Sequence, residues 1–370
     1  MNYPILDVCA RTHGHPAQHQ MLREYCDAFE DWNALLQQAE KEGLSPLLKK
    51  HLEESESSYP AGVRRSLNLL VKRHHKQAKI RLKVLQEVLV LFKSMEMTPL
   101  LIKGAALCYT LYQEPYLRPM RDMDILLSEN DVDKAQEVLV KSGFTQSRSP
   151  IPADHHHLPS LMKTVDGVAV CIELHRGLYP NCPPYYPEID FDSLLKSARK
   201  IKVGEMEAFT FNDEEMLYYL YQHALHAPLT YEGFKLINIC DIISFTEKHS
   251  LTLDWEKIRN DFPLLFNALP LLDHISPWNR EKVPGFIPDS WLNKYSVPRP
   301  FTGWPFTRRK GFKANKVRLF TVLNSTFLPP IWWASVYYGF NSFRGYVQCV
   351  LWNHPRQIVW WARLYGAMKN

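Results

Sequence analysis

The chain has 370 residues, 46% hydrophobic and 22% charged, a composition typical of a folded protein rather than a disordered one. Its seven cysteines include no Cys-x-x-Cys pair, which argues against a zinc site and a disulfide framework and favours a reducing cytoplasm. No secretion signal is expected, and no window approaches the roughly 20 apolar residues of a membrane-spanning helix.

The charge is distributed unevenly along the chain. Residues 290–370 carry twelve Lys or Arg and no Asp or Glu, whereas the rest carries 32 basic and 39 acidic residues. A basic segment of this kind suits nucleic acid, a membrane surface or another anionic partner. The alternative is that the tail only packs on the rest of the chain, with its charges keeping an aromatic-rich segment in solution.

The first 97 residues are predicted to be helical. Asp31 is a preferred N-cap residue and Gly43 a preferred helix terminator, so residues 31–43 are predicted to form a capped helix. A longer amphipathic helix is predicted over residues 63–95, because its apolar residues recur at helical spacing.

The pattern changes at residue 98, where strands begin to alternate with helices. The strands are short apolar runs, and an Asp166-Gly167 turn signal precedes the last of them. The order is strand, helix, strand, helix, strand, at residues 99–103, 107–112, 122–127, 132–141 and 168–174.

Helical patterns return after this small α/β unit. We therefore predict an α+β fold in which a small mixed-sheet core is flanked by N- and C-terminal helical regions. The predicted regions are a helical region (1–97), the α/β core (98–210), a helical region packing on the core (211–275), and a proline-rich connector with a basic aromatic tail (276–370).

Three acidic residues of the core are candidate catalytic residues. Asp122 and Asp124 are two apart on a predicted strand, so both carboxylates point to one face. Glu173 lies on another predicted strand and supplies a third carboxylate. Carboxylate oxygens suit Mg²⁺, and acids around two such ions promote phosphoryl or nucleotidyl transfer.

Basic and small residues precede these acids. Lys103, Gly104 and Ala105 form a turn from a strand into a helix, where backbone N–H groups attract a triphosphate. Arg118 and Arg121 lie just ahead of the aspartates and can neutralise phosphate oxygens. We predict that these five residues bind the nucleotide.

These segments resemble the uncharacterised bacterial nucleotidyltransferase family with the polymerase-β-type fold. The resemblance lies in the Lys-Gly-x-Ala turn, the Arg-x-x-x-Asp-x-Asp strand and the Glu-Leu-His strand, at residues 103–106, 118–124 and 173–175. It implies transfer of a nucleoside monophosphate from a nucleoside triphosphate such as ATP, with pyrophosphate released and Mg²⁺ or Mn²⁺ as the metal. On the family's motif, Gly104 and the three acids carry over, the acids as metal ligands.

Two residues depart from the family pattern. Ala105 stands where the wider superfamily often has serine or glycine, so phosphate binding must depend on backbone donors. Arg176 follows His175 where the family commonly has an aromatic residue. Neither departure removes a metal ligand.

Several further residues carry chemically active side chains. His175 shares a face with Glu173 and orients it or substrate, carries a proton near neutral pH, or is a structural hydrogen-bonded residue. His223 and His226, three apart on a predicted helix, either form a pair that faces the cleft or are ordinary core or rim residues. Asp241 in an apolar run either contacts substrate or pairs with a basic side chain. The three histidines 155–157 are interpreted as a flexible surface loop, because adjacent side chains of a regular element cannot face one ion.

The sequence leaves three functions open. The first is transfer of a nucleotide to an unidentified small molecule, peptide or protein. The second is a toxin-like enzyme that modifies tRNA ends, for which the basic tail is the sole support. The third is a non-catalytic scaffold, which has no physical need for three clustered acids.

Overall fold

The computed structural model describes residues 4–148, 155–179, 190–225, 235–273, 275–283, 327–329 and 331–359. The chain forms two compact units, one combining Met1–Tyr25 with Leu217–Asn370 and the other comprising Cys26–Met216. We call them the terminal unit and the central unit. The division into four regions stays a prediction.

The central unit contains one mixed seven-stranded sheet, in the order β3-β4-β5-β2-β1-β7-β6. β2 pairs antiparallel with β1 and parallel with β5, and β1 pairs parallel with β7. This sheet and its surrounding helices confirm the predicted α+β class. The strands are β1 Leu100–Leu101, β2 Met123–Leu126, β3 Thr145–Gln146, β4 Leu161–Val165, β5 Val168–His175, β6 Arg199–Val203 and β7 Met206–Thr210.

The local sequence explains the central strands. All four residues of β2 are buried, which suits a strand paired on both sides. β4 and β5 form a hairpin across Asp166 and Gly167, whose φ angles of 48° and 75° match the turn that an Asp-Gly pair favours. The predicted strand at 168–174 is thereby confirmed.

Six α-helices and one 3₁₀ turn lie in the part of the central unit that the structure describes. Asp31 accepts a hydrogen bond from the Ala34 N–H at 3.2 Å, and Gly43 ends the same helix with φ 74°, so the predicted capped helix is confirmed. The helices of the central unit are α3 Trp32–Glu42, α4 Ser45–Glu54, α5 Ala61–Ser94, α6 Gly104–Thr110, a 3₁₀ turn Pro115–Leu117, α7 Glu129–Lys141 and α8 Phe191–Ser197.

The terminal unit is helical where it is described. Arg11 is fully buried there and bonds to Ser276 and Glu247, at 3.3 and 3.5 Å. The described helices of the terminal unit are α1 Pro4–Val8, α10 Leu236–His249, α11 Trp255–Asp261, α12 Pro263–Leu272, α13 Ile331–Tyr338, α14 Phe343–Gln348 and a π turn Cys349–Asn353. Two more helices, α2 Pro16–Asp27 and α9 Asp213–Leu225, have residues in both units.

The described part of the basic aromatic tail packs in part on its own unit. α13 contacts α12, and Tyr337 is buried, whereas Trp352 is 60% exposed. Trp360, Trp361 and Arg363 lie outside the described residues. No helix among those described has both the length and the apolar character that crossing a membrane requires.

Candidate active site

The predicted acidic residues lie together where β2 and β5 run side by side. Asp124 and Glu173 are direct partners in the parallel register, and Asp122 immediately precedes β2. Ligand atoms of Asp124, Glu173 and His175 all lie within 4.8 Å of one another. The pairing of two strands distant in sequence therefore brings three side chains that can bind a metal to one place.

Asp124 is held between two basic side chains. The same oxygen, Oδ1, accepts hydrogen bonds from Lys103 Nζ and His175 Nε2, each at 2.9 Å. Burial alone would raise the pKa of the Asp124 carboxyl, but Lys103 and His175 hold it below its usual range. Asp124 is consequently ionised at neutral pH.

His175 is almost completely buried, with 1% of its side chain exposed. Burial lowers the pKa of its imidazole despite the hydrogen bond to Asp124. A neutral imidazole that donates from Nε2 orients the Asp124 carboxylate without adding a full positive charge.

Asp122 has the opposite electrostatic environment. Burial, together with the negative charges of Asp124 and Glu173, raises the pKa of its carboxyl. Arg81, a residue of α5 that is only 8% exposed, is electrostatically coupled to Asp122. The cluster as a whole therefore has excess negative charge, the condition that a cation relieves.

Lys103 occupies a strained backbone conformation at the start of α6. Its φ of 48° and ψ of −129° lie in a region that residues with a Cβ rarely adopt. Such a conformation costs about 1–3 kcal/mol and persists where the surrounding structure enforces it, commonly at functional sites. Here it accompanies the contact between the Lys103 ammonium and Asp124.

The other predicted nucleotide-binding residues differ in their surroundings. Gly104 and Ala105 are buried, and the Ala105 N–H donates to the Ile102 carbonyl at 3.2 Å. A Cβ placed on Gly104 would collide with Nη1 of Arg118, which is itself 8% exposed. Arg121 is exposed. Their roles in binding phosphate stay predictions.

Two residues of the site were missed by the sequence analysis. Ser160 donates from Oγ to Glu173 Oε1 at 2.9 Å and so fixes the third carboxylate. Arg81 lies on the buried face of α5, seven residues after buried His74. The sequence could have shown that Arg81 is buried, because it falls at the helical spacing of the other buried residues of α5. Nothing in the sequence distinguished Ser160.

Residues 155–157 lie on irregular backbone, as a loop requires, but they are not fully exposed at the surface. All three histidines are half-buried, and their rings lie against one another. His157 forms an isolated antiparallel bridge with His175. The backbone here is irregular, so the alternation that separates adjacent side chains in a strand does not apply.

The predicted substrate contacts outside the sheet belong to the terminal unit. His223 is exposed on α9, and Asp241 is buried on α10 with 1% exposure. The acidic cluster lies in the central unit. Contact of His223 or Asp241 with substrate stays a prediction, and His226 lies outside the described residues.

Comparisons with known proteins place the chain in a family. Two similar solved structures are the lincosamide antibiotic adenylyltransferase LnuA with bound lincomycin (16% identity, 44% of this chain and 95% of that chain, TM-score 0.30) and an antigenic nucleotidyltransferase-like protein from Paracoccidioides brasiliensis (16%, 55% and 97%, TM-score 0.33). No curated protein matches the sequence. The family model described as uncharacterised nucleotidyltransferase matches residues 29–262. This match covers more than half of the chain and contains the acidic cluster, so the chain belongs to that family and is a nucleotidyltransferase.

Proposed function

We propose that the chain is a Mg²⁺-dependent enzyme that moves a nucleoside monophosphate from a nucleoside triphosphate to an acceptor. The acceptor is a small molecule, a peptide or a protein. The observation that carries the proposal is the pairing of Asp124 with Glu173 on β2 and β5, next to Asp122, whose carboxyl interacts electrostatically with both. In the reaction, the bond between the α-phosphorus and pyrophosphate breaks as a bond from the acceptor to that phosphorus forms.

The donor atoms of this cluster fit a hard divalent cation. Carboxylate oxygens are the ligands that Mg²⁺ prefers, and Mn²⁺ accepts the same set. Burial and the neighbouring carboxylates raise the pKa of Asp122, and a bound cation would offset both effects. Asp122, Asp124 and Glu173 would hold the ion. When bound, it would supply charge neutralisation at the phosphate oxygens.

Among the described residues that contact the acidic cluster, Lys103 is placed to meet the triphosphate. Its side chain is 16% exposed, against 5% for Asp124, so its ammonium can reach an incoming phosphate. We propose that Lys103 moves part of its hydrogen bonding from Asp124 to that phosphate, while His175 keeps the Asp124 carboxylate oriented. Exposed Arg121 adds positive charge at the edge of the site.

Direct nucleotide binding tests the proposal. ATP, GTP, CTP and UTP are titrated into the purified chain with and without Mg²⁺ by calorimetry. We expect Mg²⁺-dependent binding of at least one nucleotide, weakened at least about tenfold in Asp122→Asn, since a lost metal ligand removes more than about 1.4 kcal/mol. Glu137→Gln removes the same charge from a side chain that is 72% exposed and should bind like wild type.

Failure of all four nucleotides to bind the folded chain with either Mg²⁺ or Mn²⁺ would overturn the proposal. Equal loss of affinity in Asp122→Asn and Glu137→Gln would reject the acidic cluster as the metal site. The tRNA-modifying alternative depends on the basic tail, much of which lies outside the described residues, and it stays a prediction.

A further inference from the structure

The three imidazoles of His155, His156 and His157 converge on one point. Their ring centroids are separated by 4.2, 4.2 and 4.9 Å. One ring nitrogen from each residue lies within 4.8 Å of the other two. Three imidazoles gathered in this way form a set of nitrogen ligands, which we call the trihistidine cluster.

Backbone hydrogen bonds fix the segment that carries the cluster. The His156 carbonyl accepts from the N–H groups of Arg176 and Gly177 at 2.9 and 3.1 Å. The Leu158 N–H donates to the Leu174 carbonyl at 2.8 Å, on β5. The histidines are therefore attached to the end of a central strand, which limits the entropy lost when they bind a ligand.

The ring nitrogens are in states that favour a metal ion. His157 Nδ1 lies 2.8 Å from the Leu158 carbonyl and donates its proton there, which leaves the lone pair on Nε2. This is the usual outer-shell arrangement of a metal-binding histidine. His156 Nδ1 is buried and has no hydrogen-bond partner among the described residues, a cost that coordination would remove.

We propose that His155, His156 and His157 bind a divalent transition metal ion such as Zn²⁺ or Co²⁺. Imidazole ligands suit such ions and not Mg²⁺, so the trihistidine cluster is distinct in chemistry from the carboxylates beside it. Zn–N bonds of about 2.0 Å in tetrahedral geometry place nitrogens about 3.3 Å apart, which requires side-chain shifts of about an ångström. Three protein ligands leave a fourth position open.

The neighbouring His175 does not belong to this ligand set. Its Nε2 is engaged by Asp124, and its ring centroid lies 5.6 Å from that of His156 and 5.3 Å from that of His157. An ion on the trihistidine cluster would nonetheless tighten the segment bridged to His175. The proposal does not depend on nucleotidyl transfer.

Cobalt titration tests the site in the full chain. Chelator-treated protein is titrated with Co²⁺ in excess Mg²⁺, and binding is read from the visible absorption of the ion. We expect one Co²⁺ bound by wild type and a loss of affinity of at least about tenfold in His156→Asn. No binding should remain in the double variant His155→Ala/His156→Ala. His75→Ala, at an exposed histidine, is the matched control and should bind normally.

A double variant of the acidic residues tests whether the trihistidine cluster binds metal independently of the carboxylates. Asp122→Asn/Glu173→Gln should bind Co²⁺ like wild type and lose nucleotide binding, so the two proposals can fail independently. The trihistidine site is rejected if folded wild type binds no Co²⁺ or Zn²⁺. It is also rejected if the double histidine variant, folded by circular dichroism, binds as wild type does, or if binding is lost only in the acid variant.

Discussion

Asp122→Asn is expected to abolish nucleotidyl transfer without lowering the free energy of unfolding. The pKa of the Asp122 carboxyl is raised in the folded chain, so at neutral pH the ionised form opposes folding and the neutral amide removes that cost. Transfer should fall at least about a thousandfold, because a metal contributes several kcal/mol to charge stabilisation and about 1.4 kcal/mol is a factor of ten.

Asp124→Asn should lose both transfer and stability, in contrast to Asp122→Asn. Its Oδ1 accepts from Lys103 and His175, and removing the carboxylate charge leaves the Lys103 ammonium without its anion. Breaking a buried charge pair costs about 3 kcal/mol. Urea unfolding followed by circular dichroism, together with turnover of labelled nucleotide, measures both quantities. Equal stabilities for the two variants would contradict the opposite electrostatic environments of the two aspartates.

Gly104→Ala is expected to destabilise the chain and to weaken nucleotide binding. The added Cβ would collide with the Arg118 guanidinium and come within 2.7 Å of Met120 Sδ. Overpacking of this kind costs about 1–3 kcal/mol. Since Arg118 is 8% exposed, its guanidinium has to be displaced, and we expect nucleotide affinity to fall by at least about tenfold, or 1.4 kcal/mol.

Gly62→Ala is the matched control for this substitution. A Cβ on Gly62, in the first turn of α5, meets only Arg65 Nη2 at 4.0 Å. The change should raise the unfolding free energy by up to about 1 kcal/mol, because alanine favours helix more than glycine does. If both variants unfold at the same urea concentration, Arg118 moves freely and the close packing at Gly104 has no energetic consequence.

The acidic cluster was predictable because it follows from spacing. Asp122 and Asp124 are two residues apart beside a buried strand, and β5 places Glu173 opposite Asp124. Side chains two residues apart on a strand point to the same face of the sheet, whatever surrounds the strand. The contacts that Lys103 and His175 make with one Asp124 oxygen were not predictable, since they depend on a φ of 48° at Lys103 and on the exact pairing of distant strands.

Four of the seven strands were not predicted from the sequence. β3 has only two residues, and β6 (Arg-Lys-Ile-Lys-Val), at the other edge of the sheet, has only two apolar residues. Edge strands are commonly short or charged, which weakens the hydrophobic pattern from which strands are identified. The trihistidine cluster was missed for another reason, because its residues converge through irregular backbone that has no period.

The parallel pairing of β2 with β5 also determines when the acidic cluster can assemble as the chain folds. The hairpin of β4 and β5 joins neighbouring residues and can form early, whereas its docking on β2 closes a long loop and is slow. Before that step, Asp122 and Asp124 have no Glu173 beside them. A growing or partly folded chain therefore lacks the complete acidic cluster until β5 docks on β2.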